Sequence, residues 1–385
     1  MINIAVYGDM KYSHQMKMLL QNEYSDLLRQ GNGEEIVVSY LVADGRQEDG
    51  IISLSEFASK YASKELAAIV IPKEYYMQYN SLIQKLIKHG INLNDIYNGK
   101  RLTSIIGFNM DKASMVEGYD QGQLGDLIIP MLSDSYLSYL EYHVADHCNM
   151  NCKYCTHYSP LVKEPVFTDF DKWKQDMDAL KTKIDDIGII RILGGEPLLN
   201  PDLPAFIEYT RKLYPAAVIT VVTNGILVRQ ISQELIDTMN RNIAFFHISY
   251  YPPLEPTIEE VKKFLVEKNI AFTMSPKMDK FMKTTTLKPN GNEDFFYSCF
   301  EATCNCIFEG KIAACYAPYT TKFFNKEFDK SLPEDEGIDL YNSENTTENI
   351  KLKLLYPMKR CDYCINGGEQ DWERVTGPTT LSDWV

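Results

Sequence analysis

A chain of 385 residues with a formal charge of −14, 45% hydrophobic and 24% charged residues has an ordinary globular composition and room for two or three domains. The acidic balance excludes general nucleic-acid binding, which needs a basic face to displace counterions; only a local basic pocket is compatible with it. The opening MINIAVYGDM lacks a cationic segment ahead of an apolar run, and no apolar stretch reaches the roughly 18–20 residues that span a bilayer, so a soluble cytoplasmic protein with no membrane partner is expected.

The first region, residues 1–132, alternates short apolar runs with helical patterns. INIAVYG, IVVSYLVAD and AAIVIP read as buried parallel strands, and YNSLIQKLIKHG as a helix ending in glycine. The order resembles Rossmann-like modules. A dinucleotide site needs several glycines so that backbone can approach a pyrophosphate, whereas the first turn, GDMKYSH, offers only Gly8. Asp44 ends the next strand, a common structural position. A docking or recognition domain is therefore expected, without a nicotinamide site.

LIIPMLSDSY reads as a linker into a second region, residues 133–285, which repeats strand then helix. YLEYHVA precedes a helix beginning near Thr168, where Thr168 to Asp171 forms a capping box and Phe170, Trp173, Met177, Leu180 and Ile184 mark a core-facing stripe. GIIRIL, a helix after Pro201, AVITVVT, a helix after Ser232, IAFFHISY, a helix after Thr257 and IAFTM follow. This alternation builds a parallel sheet, open or rolled, with reactive groups at the carboxyl ends of its strands. DHCNMNCKYC, GGEP, TNG and SYYPP all fall there. The third region, residues 286–385, has weak periodicity and needs a staple.

The nine cysteines begin only at Cys148, and their odd number and uneven clustering fit disulfides poorly. Clustered thiols in a reducing compartment point to metal. Cys148, Cys152 and Cys155 stand as C-x3-C-x2-C, which can hold three corners of a four-iron cluster and leave one iron open to a small chelating ligand. A zinc site is the bland alternative, but zinc arms favour paired C-x2-C or C-x4-C gaps and four ligands.

At these residues the sequence resembles the radical S-adenosylmethionine (radical SAM) enzymes. The resemblance implies a partial (β/α)6 barrel of class α/β, with Cys148, Cys152 and Cys155 on the cluster and the methionine amino and carboxylate groups of SAM on its open iron. Tyr154 matches the family's aromatic residue near adenine. Leu-Gly194-Gly195-Glu196-Pro197 matches the family's turn after the second strand, where bare backbone admits a ligand and Glu196 accepts from the SAM ammonium; a tight strand–helix turn is the alternative. Asn224 and Ser249 end the third and fourth strands, where the family contacts ribose or methionine; both also serve as ordinary turn residues. His147 and His157 flank the cluster as proton-transfer candidates or as hydrogen-bonded structural histidines.

SCFEATCNCIFEGKIAAC and KRCDYC resemble the SPASM extension or its shortened twitch form, which carry auxiliary clusters. No cysteine follows Cys364, so the twitch form with one auxiliary four-iron cluster is implied. Cys315, Cys361 and Cys364 fit its ligand pattern, with Cys299 as fourth and Cys304 as competitor. Cys306 is left over, as an inert thiol or as a catalytic hydrogen donor. A zinc ribbon is the alternative for the same thiolates.

The resemblance implies reductive cleavage of SAM and hydrogen abstraction by a 5′-deoxyadenosyl radical, with an electron from a flavodoxin- or ferredoxin-type donor. The expected substrate is a small sugar or aminocyclitol-type molecule that is dehydrogenated or epimerised. Modification of a ribosomally made peptide is the second reading, although no winged-helix leader-binding pattern is visible; a non-catalytic iron–sulfur scaffold or sensor is the third.

Overall fold

The computed structural model describes residues 2–9, 11–18, 20–21, 36–46, 48–72, 79–99, 129–130, 132–290 and 293–385. The chain divides into two compact units, Met1–Asp134 and Ser135–Val385. Parts of the expected first turn and of the linker, at Met10, Leu127, Ile128 and Met131, lie outside the described residues.

In the first unit β1 (Ile2–Tyr7), β2 (Ile36–Val42), β3 (Ile51–Ile52), β4 (Ala68–Ile71), β5 (Ile96–Asn98) and β6 (Ile129–Pro130) form one sheet in the order β3-β2-β1-β4-β5-β6. All pairs are parallel except β5 with β6. Helices α1 (Lys11–Met18), α2 (Leu54–Ala62) and α3 (Tyr79–Lys88) connect them, as the alternation of apolar runs and helical patterns predicts. Val6, Val38, Leu41 and Val70 are buried, consistent with a sheet covered on both faces. Asp44 serves the fold, since its carboxylate accepts the Leu54 N–H at 3.1 Å, at the first turn of α2.

The second unit is built on β7 (Tyr136–Ala145), α4 (Phe170–Lys181), β8 (Asp186–Gly194), α5 (Leu203–Leu213), β9 (Val218–Thr223), α6 (Gln233–Arg241), β10 (Phe245–Ile248), α7 (Ile258–Glu267) and β11 (Phe272–Met274). These five strands run parallel in the order β11-β10-β9-β8-β7, an open α/β half-barrel. Trp173, Met177, Leu180 and Ile184 are buried and Phe170 packs against the same core, as the helical stripe predicts. The cap of α4 differs from expectation. Asp169 is the N-cap and accepts from Lys172 N at 2.9 Å, while Thr168 is drawn away to donate to the His143 carbonyl at 2.7 Å.

From residue 286 onward the chain stays in this unit and extends its sheet. After α8 (Glu293–Ser298), β13 (Cys306–Phe308) pairs with β7, and β14 (Lys311–Ala313) and β15 (Ile338–Asp339) follow antiparallel. β12 (Lys280–Met282) pairs instead with β16 (Glu369–Asp371). Two helices, α9 (Ala317–Phe328) and α10 (Thr347–Lys353), give this segment more regular structure than its periodicity suggests. The buried face of α9 includes Thr320 and Thr321, whose hydroxyls turn back to the Tyr316 and Ala317 carbonyls, so an apolar pattern does not mark it.

Candidate cofactor-binding cages

β7 ends at Ala145, and the next turn carries Cys148, Cys152 and Cys155 as free thiols. Asn151, Tyr154 and Tyr158 adopt left-handed backbone with φ of 62°, 58° and 53°, which coils the loop tightly. Burial pushes the Cys148 and Cys152 thiols up to about 12, and burial also raises Cys155; Cys155 further raises both Cys148 and Cys152. Three crowded thiols of this kind are matched by a cationic group that takes them as thiolates.

The ends of neighbouring strands close around them. Asn224 Nδ2 lies 3.7 Å from Cys148 Sγ and donates to Asn149 Oδ1 at 2.7 Å, tying the end of β9 to the loop. Ser249 N donates to the Thr223 carbonyl at 2.9 Å, just past β10. Tyr251, two residues on, faces all three thiols: burial and then Cys155, Cys152 and Cys148 push its phenol up. Tyr154 donates its backbone N–H to Asp383 O at 3.0 Å, and its ring lies 5.6 Å from Lys283 Nζ.

The glycine pair of GGEP has a cause other than room for a ligand. A Cβ on Gly194 would overlap the carbonyl oxygen of Ala145, and one on Gly195 would overlap that of His147. Gly194 also has φ of +143°. The bare backbone is what lets the end of β8 lie against the cysteine loop, with Gly195 N donating to Ala145 O at 2.7 Å and Glu196 N to His147 O at 3.1 Å. Glu196 is fully buried and its carboxylate accepts from Leu198 N, Thr223 Oγ1 and Asn224 N. Burial nevertheless pushes it up to about 7.

The far end of the chain straps this loop, which the cysteine spacing does not reveal. Trp372 Nε1 donates to Cys152 Sγ at 3.2 Å, Arg374 Nε to Met150 O at 3.0 Å, and Asn151 Nδ2 to Val375 O at 3.1 Å. Lys153 N donates to Glu373 O, and Trp384 packs on Tyr158.

His157 belongs to a buried chain. Asp146 accepts from Tyr319 OH at 2.7 Å and from His143 Nδ1 at 2.8 Å, and His143 Nε2 accepts from His157 Nδ1 at 3.0 Å. Burial pushes Asp146 up, but the bonds from His143 and Tyr319 prevail and hold it below its usual value. His157 is pushed well down by burial and by His143. His147 is placed apart, its Nδ1 accepting from Val166 N at 3.1 Å. Beyond this chain, the inward face of the half-barrel is polar. Glu141 pairs with Arg191 across β7 and β8, and Arg191 acts electrostatically on His247 of β10.

The second cage lies under α8 and α9. Cys299, Cys315, Cys361 and Cys364 line one largely apolar cavity, together with Arg360, Tyr158, Thr285, Glu301 and Tyr316. Burial raises all four thiols, and each is raised further by others of the set or, for Cys364, lowered by Arg360. Cys304 is not in this lining. It is buried beside Glu141, Glu301 and Tyr139, and Cys306 is fully buried among Phe308, Ala313, Tyr316 and Tyr319 with its S–H directed at Ile307 O. The structure thus separates four of the six tail cysteines from the other two. Among the described residues no group of three or more His, Cys, Asp or Glu side chains is gathered as a site for a single metal ion. Thiolates around one zinc stand roughly 3.8 Å apart, given Zn–S of about 2.3 Å. Thiolates of a four-iron cluster bind different irons and stand wider.

Residues 142–265 match the family model described as the radical SAM superfamily. The matched segment is a radical SAM domain that runs from β7 to α7 and includes the C-x3-C-x2-C loop and the GGEP turn. A GTP 3′,8-cyclase of Sulfurimonas denitrificans is 34% identical over 133 residues, 30% of this chain and 40% of the relative. One from Helicobacter pylori is 26% identical over 227 residues, 54% of this chain and 65% of the relative. The chain therefore spans less than two thirds of these relatives. Among solved structures, BtrN in complex with AdoMet and 2-DOIA aligns over 60% of this chain and 93% of its own, at 18% identity and a TM-score of 0.38. Streptococcus suis SuiB bound to precursor peptide SuiA aligns over 51% and 52%, at 15% identity and a TM-score of 0.27. No helix among the described residues is long and apolar enough to cross a membrane.

Proposed function

We propose that the protein is a radical SAM oxidoreductase that dehydrogenates a small hydroxylated substrate of the sugar or aminocyclitol type, using two four-iron clusters. One observation carries the reading: two separate thiol cages in one unit, three thiols at the end of β7 and four around a single cavity. When bound, the first cluster with SAM supplies a 5′-deoxyadenosyl radical for hydrogen abstraction, and the auxiliary cluster supplies a one-electron acceptor.

The chain's own residues divide the work. Cys148, Cys152 and Cys155 hold the first cluster, and their number leaves an iron for the amino acid end of SAM. Asn224, Ser249 and Tyr251 stand at the strand ends beside it, and Tyr154 shapes the loop. Glu196 spends its carboxylate on backbone and Thr223, so its contribution is to fix the turn on which Asn224 sits. Cys299, Cys315, Cys361 and Cys364, which line one cavity, hold the auxiliary cluster. Glu141, Arg191 and His247 give the half-barrel a polar interior suited to hydroxyl groups. Cys306 is sealed in an aromatic pocket, which favours dehydrogenation over an epimerisation that needs an accessible thiol. A flavodoxin- or ferredoxin-type protein of the cytoplasm is the electron donor in this reading.

A second reading is a rearrangement without net oxidation, as the names of the matched GTP 3′,8-cyclases suggest, with peptide modification as a third. Anaerobic reconstitution tests the cages first. About eight irons per chain are expected, falling to about four when Cys148, Cys152 and Cys155 are replaced by alanine. With a substrate in hand, a product two hydrogens lighter, formed with one 5′-deoxyadenosine, supports dehydrogenation; a product of unchanged oxidation state overturns it.

A further inference from the structure

Arg360 is 2% exposed, a burial that a guanidinium tolerates when its donors are partnered. Four of its five N–H groups have partners. Nε donates to Thr321 Oγ1 at 2.8 Å, Nη2 to Thr285 Oγ1 at 3.0 Å and to Tyr158 OH at 3.3 Å, and Nη1 to Cys364 Sγ at 3.3 Å. The backbone around it is held as well: Glu336 accepts from Lys359 N at 3.0 Å and from Arg360 N at 2.7 Å. Among the described residues no carboxylate takes a hydrogen bond from the guanidinium. The partner left to balance its charge is a cage sulfur.

We infer that Arg360 is a positioning residue for the auxiliary cage whose N–H donation to Cys364 Sγ, with its permanent charge, raises the reduction potential of the cluster held by Cys299, Cys315, Cys361 and Cys364. The inference rests on the cluster reading above. Reduction adds negative charge to an iron–sulfur cluster, and hydrogen bonds and cations at its sulfurs stabilise the reduced form. At low local dielectric that stabilisation is large. In the first cage Cys152 receives a neutral indole N–H from Trp372, and the charge of Arg374 reaches that thiol only through space, its Nε donating to the Met150 carbonyl. Among the described residues a guanidinium N–H placed directly on a cage sulfur belongs to the auxiliary cage. Thr321 and Thr285 aim the fork, so its direction is set by side chains that the cysteine spacing does not mark.

The test uses full-length protein in which Cys148, Cys152 and Cys155 are alanine, so that only the auxiliary cluster contributes to an electron paramagnetic resonance titration. Arg360→Gln should lower the reduced-to-oxidised ratio at fixed poise at least tenfold, a 59 mV fall for a one-electron couple. Arg360→Lys, which keeps a charge but retracts the donor, should shift it less and in the same direction. If Arg360→Gln fails to hold its iron, the lysine variant decides alone. Full iron with an unmoved midpoint in a variant that holds its cluster overturns the inference, and so does loss of iron from both, which makes Arg360 a builder of the cage and not its tuner. Absence of iron from the unsubstituted cage is a different result: it removes the cluster reading itself.

Discussion

Trp372 donates its indole N–H to Cys152 Sγ at 3.2 Å, joining the strap at the end of the chain to the first cysteine loop. Around this contact Glu373, Arg374 and Val375 bond to the backbone or side chains of Lys153, Met150 and Asn151. The first cage is therefore completed by residues far away in sequence. Removing residues 369–385 should cost the three-cysteine cage its iron while the auxiliary cage keeps its own. Iron should fall from about eight to about four per chain although all nine cysteines remain. Trp372→Phe, which keeps the ring, should retain iron but release it to a chelator several-fold faster. Full iron in the truncated protein would count against the strap.

Cys299 and Cys304 compete for the same role in the sequence and are separated in the structure. Only Cys299 lines the cavity with Cys315, Cys361 and Cys364. Cys299→Ser should lose the auxiliary cluster, about four irons, whereas Cys304→Ser should keep it. Iron analysis of the two variants side by side settles the fourth ligand; the reverse pattern would displace Cys299.

Gly194 and Gly195 are required by backbone contact. Alanine at either position drives a Cβ into a carbonyl oxygen of the cysteine loop, with added strain at Gly194 from its positive φ. Each substitution should destabilise the metal-free protein by on the order of 2–4 kcal/mol. Gly377→Ala, whose Cβ meets nothing within 4 Å, should stay within about 0.5 kcal/mol. Urea unfolding of the three variants measures the contrast, and equal midpoints would refute it.

Glu141 gives a pH signature. Burial pushes its carboxyl up to about 8, against a hydrogen bond from Tyr139 and the charge of Arg191, and its Oε1 has no hydrogen-bond partner. The unfolded chain ionises this group near 4.5, so between about 4.5 and 8 the folded state binds more protons. Its contribution to stability is present in full below that window and is lost as pH rises through it. The loss is on the order of several kcal/mol at most. Relative to Glu141→Gln, the native protein should lose unfolding free energy between pH 5 and 8.5, about a window set by that titration. Parallel curves for the two proteins would show that Glu141 ionises normally.

Much of this site was legible from local pattern. The C-x3-C-x2-C loop, the GGEP turn and the strand–helix alternation are local in sequence, and the structure places the loop and turn together at adjacent strand ends. What sequence could not show is long-range or polar. Tyr251 reaches the thiols only because β10 lies on the same sheet as β7, three strands away, and Trp372 and Arg374 only because the chain folds back. Arg360 precedes Cys361 in an ordinary-looking KRC, and its burial depends on threonines from two other segments. The cap falls on Asp169 rather than Thr168 because the Thr168 hydroxyl donates to the His143 carbonyl, a partner distant in sequence. Residues whose roles are set by tertiary neighbours leave no periodic trace.

The pairing of β13 with β7 bears on how such proteins could be recombined. Cys306 stands opposite Glu141, and Glu141 N donates to Asn305 O at 2.8 Å, so the last parallel strand of the half-barrel has its free edge covered by the tail. A chimera joined at residue 286 without this strand would present raw backbone donors and acceptors beside the cysteine loop, an invitation to stick to other copies. A transplantable tail must therefore bring its own equivalent of residues 305–313, or the recipient will be insoluble before its chemistry can be assayed.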